Sequence, residues 1–138
     1  AVFLPIIASQ GGNAGIQTLT IMVRSMALGE IEGRKKTRLL TKELFVALCT
    51  GLATGLAVGL IGWWWRGDFV LGAIACVALL LNVICAAAAG VMIPIGLKTL
   101  KIDPALASSI MLTTVTDVLG FCMFLGLAGV GFHYFPPG

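Results

Sequence analysis

Long apolar segments alternate with short polar connections along the 138 residues of this chain. A helix needs about 20 mostly apolar residues to cross the roughly 30 Å hydrocarbon core of a bilayer, and four segments meet that length. The predicted spans are residues 2–28, 39–65, 69–97 and 104–132. The pattern therefore predicts an all-α integral membrane protein, in which residues 1–138 form one transmembrane domain with four helices.

An acidic residue, Asp117, interrupts the fourth apolar segment. It is the only charged residue between Asp103 and His133, and it lies 14 residues after Asp103. At about 1.5 Å per helical residue, this spacing places the carboxylate roughly 20 Å into the bilayer. A charge at that depth costs at least ~2.5–3.5 kcal/mol, and such residues usually face a polar cavity and act on an ion or proton. Asp117 is therefore the first candidate for a functional residue.

Polar side chains accompany Asp117 along one face of the predicted fourth helix. At spacings of four, four and three residues, that face carries Ser109, Thr113, Asp117 and Gly120. Residues at these spacings are neighbours on a helix surface, and Thr116 and Ser108 lie on the flank of the same face. The fourth span is thus predicted to be polar on one side along most of the bilayer.

The first span carries a matching polar stripe. At spacings of three, four, three and four residues, its members are Gln10, Asn13, Gln17, Thr20 and Arg24. Gly11, Gly12 and Gly15 interrupt the stripe, and glycines at such spacings allow either close helix packing or a bend that turns carbonyls toward a cavity. Two polar stripes, on the first and fourth spans, predict a shared water-filled path.

The second and third spans are predicted to be scaffold. Gly51, Gly55 and Gly59 recur every four residues, and an alanine run at 86–89 precedes a glycine, both of which favour tight helix packing in membranes. Asn82 is the one polar side chain of the third span, and we interpret it as an interhelical hydrogen bond rather than a ligand.

Composition supports a membrane protein and excludes several other classes. Hydrophobic residues make up 59% of the chain, charged residues 11%, and the mean hydropathy is +1.05. These values lie outside the range of soluble globular domains. The net charge of +3 does not indicate nucleic-acid binding, because the basic residues flank the spans and no aromatic-rich binding module accompanies them. We expect transport and not enzymatic activity.

The basic residues predict the orientation in the membrane. Eight of the nine lie in or beside the first and third connections, and only Arg66 lies on the opposite side. By the positive-inside rule, the first and third connections face the cytoplasm. The sequence opens on an apolar run without an initiator methionine, and we expect it to be part of a longer protein.

Two stretches of the sequence carry recognisable motifs, namely PIIASQGGNAGIQTLTIMVRSMALGE at residues 5–30 and KIDPALASSIMLTTVTDVLGF at residues 101–121. The first resembles the second transmembrane helix of the MgtE family of magnesium channels, and the second resembles the fifth helix of that family. The first family helix and the cytoplasmic regulatory region have no counterpart here, and family members can have Asn and Ala where Ser109 and Thr113 stand.

The resemblance implies a multi-pass protein of the cell (inner) membrane that forms a homodimer with one central pore. Mg²⁺ would be the transported ion, and Asp117 matches the ion-binding aspartate of the family. The partners would be a second copy of the chain, membrane lipid and the regulatory region of the parent protein. The predicted pore-lining residues are Ser109, Thr113, Thr116, Gly120, Gly12, Asn13, Gly15 and Gln17.

Magnesium chemistry fits a single carboxylate per chain. Mg²⁺ sheds water reluctantly, so two symmetry-related Asp117 side chains would attract it through its hydration shell.

Two alternatives stay open, namely a proton- or sodium-coupled secondary transporter of divalent cations and a non-conducting membrane assembly subunit. For Asp117 itself, the alternative is a buried partner for Arg24 or a hydrogen-bonded contact between helices. Glu30, Glu32 and Glu43 lie at the predicted cytoplasmic mouth, where acidic side chains can concentrate cations, but we expect them to form a solvated face paired with nearby lysines.

Overall fold

The described part of the chain consists of four α-helices. The computed structural model describes residues 2–30 and 34–134, with side chains described for residues 2–30, 37–105 and 108–134. The helices are α1 (Phe3–Ala27), α2 (Arg34–Arg66), α3 (Phe69–Thr99) and α4 (Pro104–Tyr134). The described ranges contain no strand, and the predicted all-α class is confirmed.

Three of these helices are long and apolar enough to cross a membrane. Within the described residues, the candidate spans are Thr37–Arg66, Phe69–Thr99 and Ser108–Tyr134. Helix α1 has 25 residues, which is long enough to span, but Gln10, Asn13 and Gln17 lower its hydropathy. That α1 crosses the bilayer therefore stays a prediction.

Helix α3 is the centre of the bundle. It packs against each of the other three helices, and α1 packs in addition against α4. Its buried residues extend from Gly72 to Leu97, and Ala75, Ala78 and Leu79 among them are fully enclosed. A helix that is apolar on all sides can be surrounded by neighbours, which is the position α3 takes.

Aspartate side chains cap two of the helices. The Asp103 carboxylate accepts a hydrogen bond from the Ala105 backbone N–H at 2.9 Å, which confirms the predicted start of α4 at Pro104. The Asp68 carboxylate accepts hydrogen bonds from the backbone N–H groups of Val70 and Leu71 at 2.9 and 3.1 Å. Each cap satisfies amide groups that the first helical turn leaves without an internal partner.

Glycines bring the backbones of α2 and α3 into close contact, as their four-residue spacing predicts. A Cβ atom at Gly55 would lie 2.9 Å from the carbonyl oxygen of Cys76, and one at Gly59 would lie 2.8 Å from the carbonyl oxygen of Gly72. Side chains at these positions would have to push the two helices apart. The packing role of the glycine repeat is thus confirmed.

Replacing Gly59 by alanine is expected to destabilise the bundle. The added Cβ meets backbone rather than a flexible side chain, so α2 must move away from α3, and overpacking of this kind costs roughly 1–3 kcal/mol. Thermal unfolding in detergent measures the effect. Gly126→Ala is the matched control, because a Cβ there has no heavy atom within 4 Å and alanine favours the helix. Equal melting temperatures for the two variants would contradict the prediction.

Candidate functional site

Asp117 lies in the middle of α4 at a partly exposed position. Of the neighbours on its polar face, Ser109 and Thr113 are exposed, whereas Gly120 is buried. The hydrogen bonds that the described side chains make do not include Asp117. An intramembrane carboxylate that is partly exposed and bound to no described side chain is available to a ligand.

The contacts between α1 and α4 determine which residues of α1 lie at the same height as Asp117 along the bundle axis. A Cβ at Gly12 would lie 3.8 Å from Thr116 Oγ1, and one at Gly15 would lie 3.1 Å from the Leu112 side chain. The helices are thus antiparallel, and Gly12 lies at the height of Asp117. The polar stripe residues closest to that height are Gln10 and Asn13, which are half-buried and exposed.

The same register separates Asp117 from Arg24. Arg24 is exposed in the last turn of α1, 12 residues beyond Gly12. At ~1.5 Å per residue, the two charged groups lie roughly 18 Å apart along the bundle, a separation that no arginine side chain spans. The alternative in which Arg24 neutralises Asp117 is therefore not supported.

The eight predicted pore-lining residues divide into two groups. The exposed group consists of Asn13, Gln17, Ser109 and Thr113. The buried group, which lies where α1 packs against α3 and α4, consists of Gly12, Gly15, Thr116 and Gly120. In a single copy of the chain, the first group lies on the surface of the bundle and the second positions the helices. A pore-lining role stays a prediction for both.

Two threonine hydroxyls next to Asp117 make hydrogen bonds within α4. Thr113 Oγ1 donates to the Ser109 carbonyl oxygen at 3.0 Å, and Thr116 Oγ1 donates to the Thr113 carbonyl oxygen at 3.0 Å. A hydroxyl that donates in this way still has lone pairs that accept from water. Thr113 is exposed and can do so, whereas Thr116 is fully enclosed against α1.

Asn82 joins three helices behind the polar faces. It is fully buried, and its Nδ2 donates a hydrogen bond to the Ile7 carbonyl oxygen at 2.8 Å, as predicted for an interhelical contact. Its amide also lies against Gly11 and Gly120, where a Cβ would come within 2.2 and 2.8 Å of Nδ2. Asn82 Oδ1 has no hydrogen-bond partner among the described residues. The sequence identified this residue but not the helices it joins.

Glu43 is buried, and the prediction that it belongs to a solvated face is wrong. Its side chain is 5% exposed, and Thr18 Oγ1 donates a hydrogen bond to its Oε2 at 3.1 Å. The reason is the helical period of α2, which places Glu43 on the same face as the buried Ala47 and Gly51. Glu30 is exposed as expected, and Glu32 lies outside the described residues.

Comparisons with known proteins identify relatives of this chain. The family model MgtE, described as a divalent cation transporter, matches residues 4–127. The chain is 30% identical over 133 residues to the magnesium transporter MgtE of Bacillus subtilis, and 35% identical over 129 residues to that of Thermus thermophilus. The corresponding protein of Enterococcus faecalis is 33% identical over 135 residues.

These alignments cover nearly the whole chain but only part of each relative. They include 96%, 93% and 98% of this chain and 30%, 28% and 30% of the Bacillus, Thermus and Enterococcus proteins. The chain therefore spans somewhat less than a third of the length of the curated relatives it matches.

Proposed function

The chain belongs to the MgtE family of divalent cation transporters, and from this premise we propose that it forms a transmembrane path for Mg²⁺. Three relatives that match more than nine-tenths of the chain are magnesium transporters. In the proposed path, Asp117 recognises a largely hydrated ion, and the exposed polar residues of α1 and α4 contact its water.

The observation that carries this proposal is the position of Asp117. It is the only acidic residue of α4, it is partly exposed, and it makes no hydrogen bond to a described side chain. A carboxylate kept at membrane depth without a structural partner is costly unless it acts on an ion or proton. Together with the family match, this favours a cation-binding role.

A second copy of the chain would complete the path. The lipid-accessible side of α4 combines the polar Ser109 and Thr113 with Ile110 and Val118, which are 72% and 55% exposed. A polar stripe facing lipid is unfavourable, whereas the same stripe facing its symmetry mate can enclose water. The proposed homodimer would place two Asp117 carboxylates on opposite sides of one pore.

The water that Mg²⁺ retains explains how one carboxylate per chain can be enough to bind the ion. Within the described residues, no three His, Cys, Asp or Glu side chains lie close enough together to hold a metal ion directly. Mg²⁺ dehydrates reluctantly and is usually bound through one or two carboxylates and several waters. Asp117 would accept hydrogen bonds from those waters, and weak outer-shell binding also lets the ion leave.

The test is Mg²⁺ flux into liposomes that contain the full chain. We expect uptake driven by the membrane potential, with no requirement for a pH or sodium gradient. In cells, we expect the first and third connections to be accessible from the cytoplasmic side. Strict dependence on a proton or sodium gradient would instead identify a coupled carrier. Absence of flux together with intact dimerisation would identify an assembly subunit and overturn the proposal.

A further inference from the structure

A second carboxylate, Glu43 of α2, is buried in the bundle and has no part in the proposed action of Asp117. It is 5% exposed and lies inside the candidate span Thr37–Arg66. One carboxylate oxygen accepts the hydrogen bond from Thr18, and the other makes no hydrogen bond to the described residues. Burying a carboxylate is costly unless it is paired or coordinates a metal, so the oxygen without a described partner favours a ligand at this position.

Glu43 lines a cavity with several oxygen-bearing side chains. The cavity measures about 200 Å³, and its polar lining comprises Gln17, Thr18, Lys42, Glu43 and Thr50. A carboxylate, an amide and two hydroxyls provide the oxygen ligands that hard divalent cations and their bound waters prefer. A polar cavity of this size has room for ordered water molecules.

Lys42 lines the same cavity, and its positive charge would repel a cation. Its side chain is exposed, whereas that of Glu43 is buried. A lysine stem is long and flexible, and its ammonium group moves toward water where it can. Glu43 is therefore the fixed charge of the cavity and Lys42 the movable one.

The cavity lies next to the proposed ion path. Gln17 belongs both to the exposed polar stripe of α1 and to the cavity lining. Thr18, which contacts Glu43, is six residues from Gly12, and Gly12 is at the height of Asp117. At ~1.5 Å per residue, Glu43 is thus about 9 Å from Asp117 along the bundle, toward the connection between α1 and α2.

We propose that Glu43, Gln17 and Thr18 form a second binding site for a hydrated divalent cation, between the α1–α2 end of the bundle and Asp117. The proposal rests on the proposed transport function and adds a step to it. Conduction is favoured by several weak sites in series, because an ion entering one site promotes release from the next. Glu43 would concentrate the ion before or after its passage at Asp117.

The experiment is a titration of the isotope-labelled full chain in lipid nanodiscs with MgCl₂, followed by NMR. The side-chain amide of Gln17 reports on the Glu43 site, and the backbone amide of Gly120 reports on Asp117. Glu43→Gln removes the charge but retains an oxygen that accepts from Thr18, so the helices are expected to stay packed. Glu30→Gln is the matched control, because it removes the same charge from an exposed position.

We expect Glu43→Gln to weaken Mg²⁺ binding at Gln17 at least tenfold while Gly120 titrates as in the wild type. Asp117→Asn should show the reverse, and Glu30→Gln should change neither. A Gln17 titration that Glu43→Gln leaves unchanged would overturn the second site, even where Asp117→Asn abolishes the Gly120 response. Loss of both responses in Asp117→Asn would also overturn it, because the two sites would then be one.

Discussion

Asp117→Asn is expected to abolish detectable Mg²⁺ binding at position 117 while the helices remain packed. Asparagine has nearly the volume of aspartate, and Asp117 makes no hydrogen bond to a described side chain that the change would break. A divalent ion held through one water, about 4–5 Å from a carboxylate, gains several kcal/mol at an effective dielectric constant of ~20. Removing that charge should weaken binding at least about 100-fold.

An NMR titration of the Gly120 backbone amide with MgCl₂ and flux into liposomes measure the two consequences of this change. Asp103→Asn is the matched control on the same helix, because it removes one negative charge outside the span and asparagine is an equally good N-cap. We expect the control to bind and conduct like the wild type. Wild-type affinity in Asp117→Asn would contradict the assignment of Asp117 as the ion-binding residue.

Gly11→Ala is expected to have the second-largest effect, through the packing of α1 against α3 and α4. The new Cβ would lie 2.2 Å from Asn82 Nδ2. Asn82 cannot swing away, because it is fully buried and its amide also lies against Gly120. Overpacking and loss of the hydrogen bond to Ile7 should together cost at least about 2 kcal/mol of stability.

Two controls separate this clash from a general intolerance of α1 to alanine. Gly12→Ala adds the same methyl group one residue later, where its closest neighbour is Thr116 Oγ1 at 3.8 Å, so we expect little change. In Gly11→Ala combined with Asn82→Ala, the clashing amide is gone, and the double variant should be less destabilised than the sum of the single ones. Additive losses in thermal unfolding would contradict the proposed contact.

The polar stripe and the glycines of α1 show why the sequence pattern predicted only part of the site. The stripe from Gln10 to Arg24 was predicted to line a path together with Gly12 and Gly15. In the structure, stripe members such as Asn13 and Gln17 are exposed, whereas the glycines are buried against α3 and α4. Glycine spacing alone does not distinguish close helix packing from an opening toward a cavity, since both require a missing side chain.

The burial of Glu43 could not be predicted from its neighbours in the sequence. Its neighbours in sequence include Lys42 and Arg38, and this pattern predicts that Glu43 lies on a solvated, charged face of the helix. Whether a side chain near the end of a long helix is buried depends on the partner helix opposite it. Here that partner is Thr18 of α1, 25 residues away along the chain, and no local pattern links the two.

The sequence by itself determined the all-α class, the bounds of the helices to within five residues, the packing role of the glycine repeat and the position of Asp117 as the one charged residue of the fourth span. These features follow from local causes, namely hydropathy over some 20 residues, capping aspartates and the cost of a charge in lipid. Only the tertiary structure decided that Asn82 joins three helices and that Glu43 is enclosed beside Thr18. Such contacts depend on the rotation and register of whole helices against one another, which side-chain packing sets jointly across the bundle.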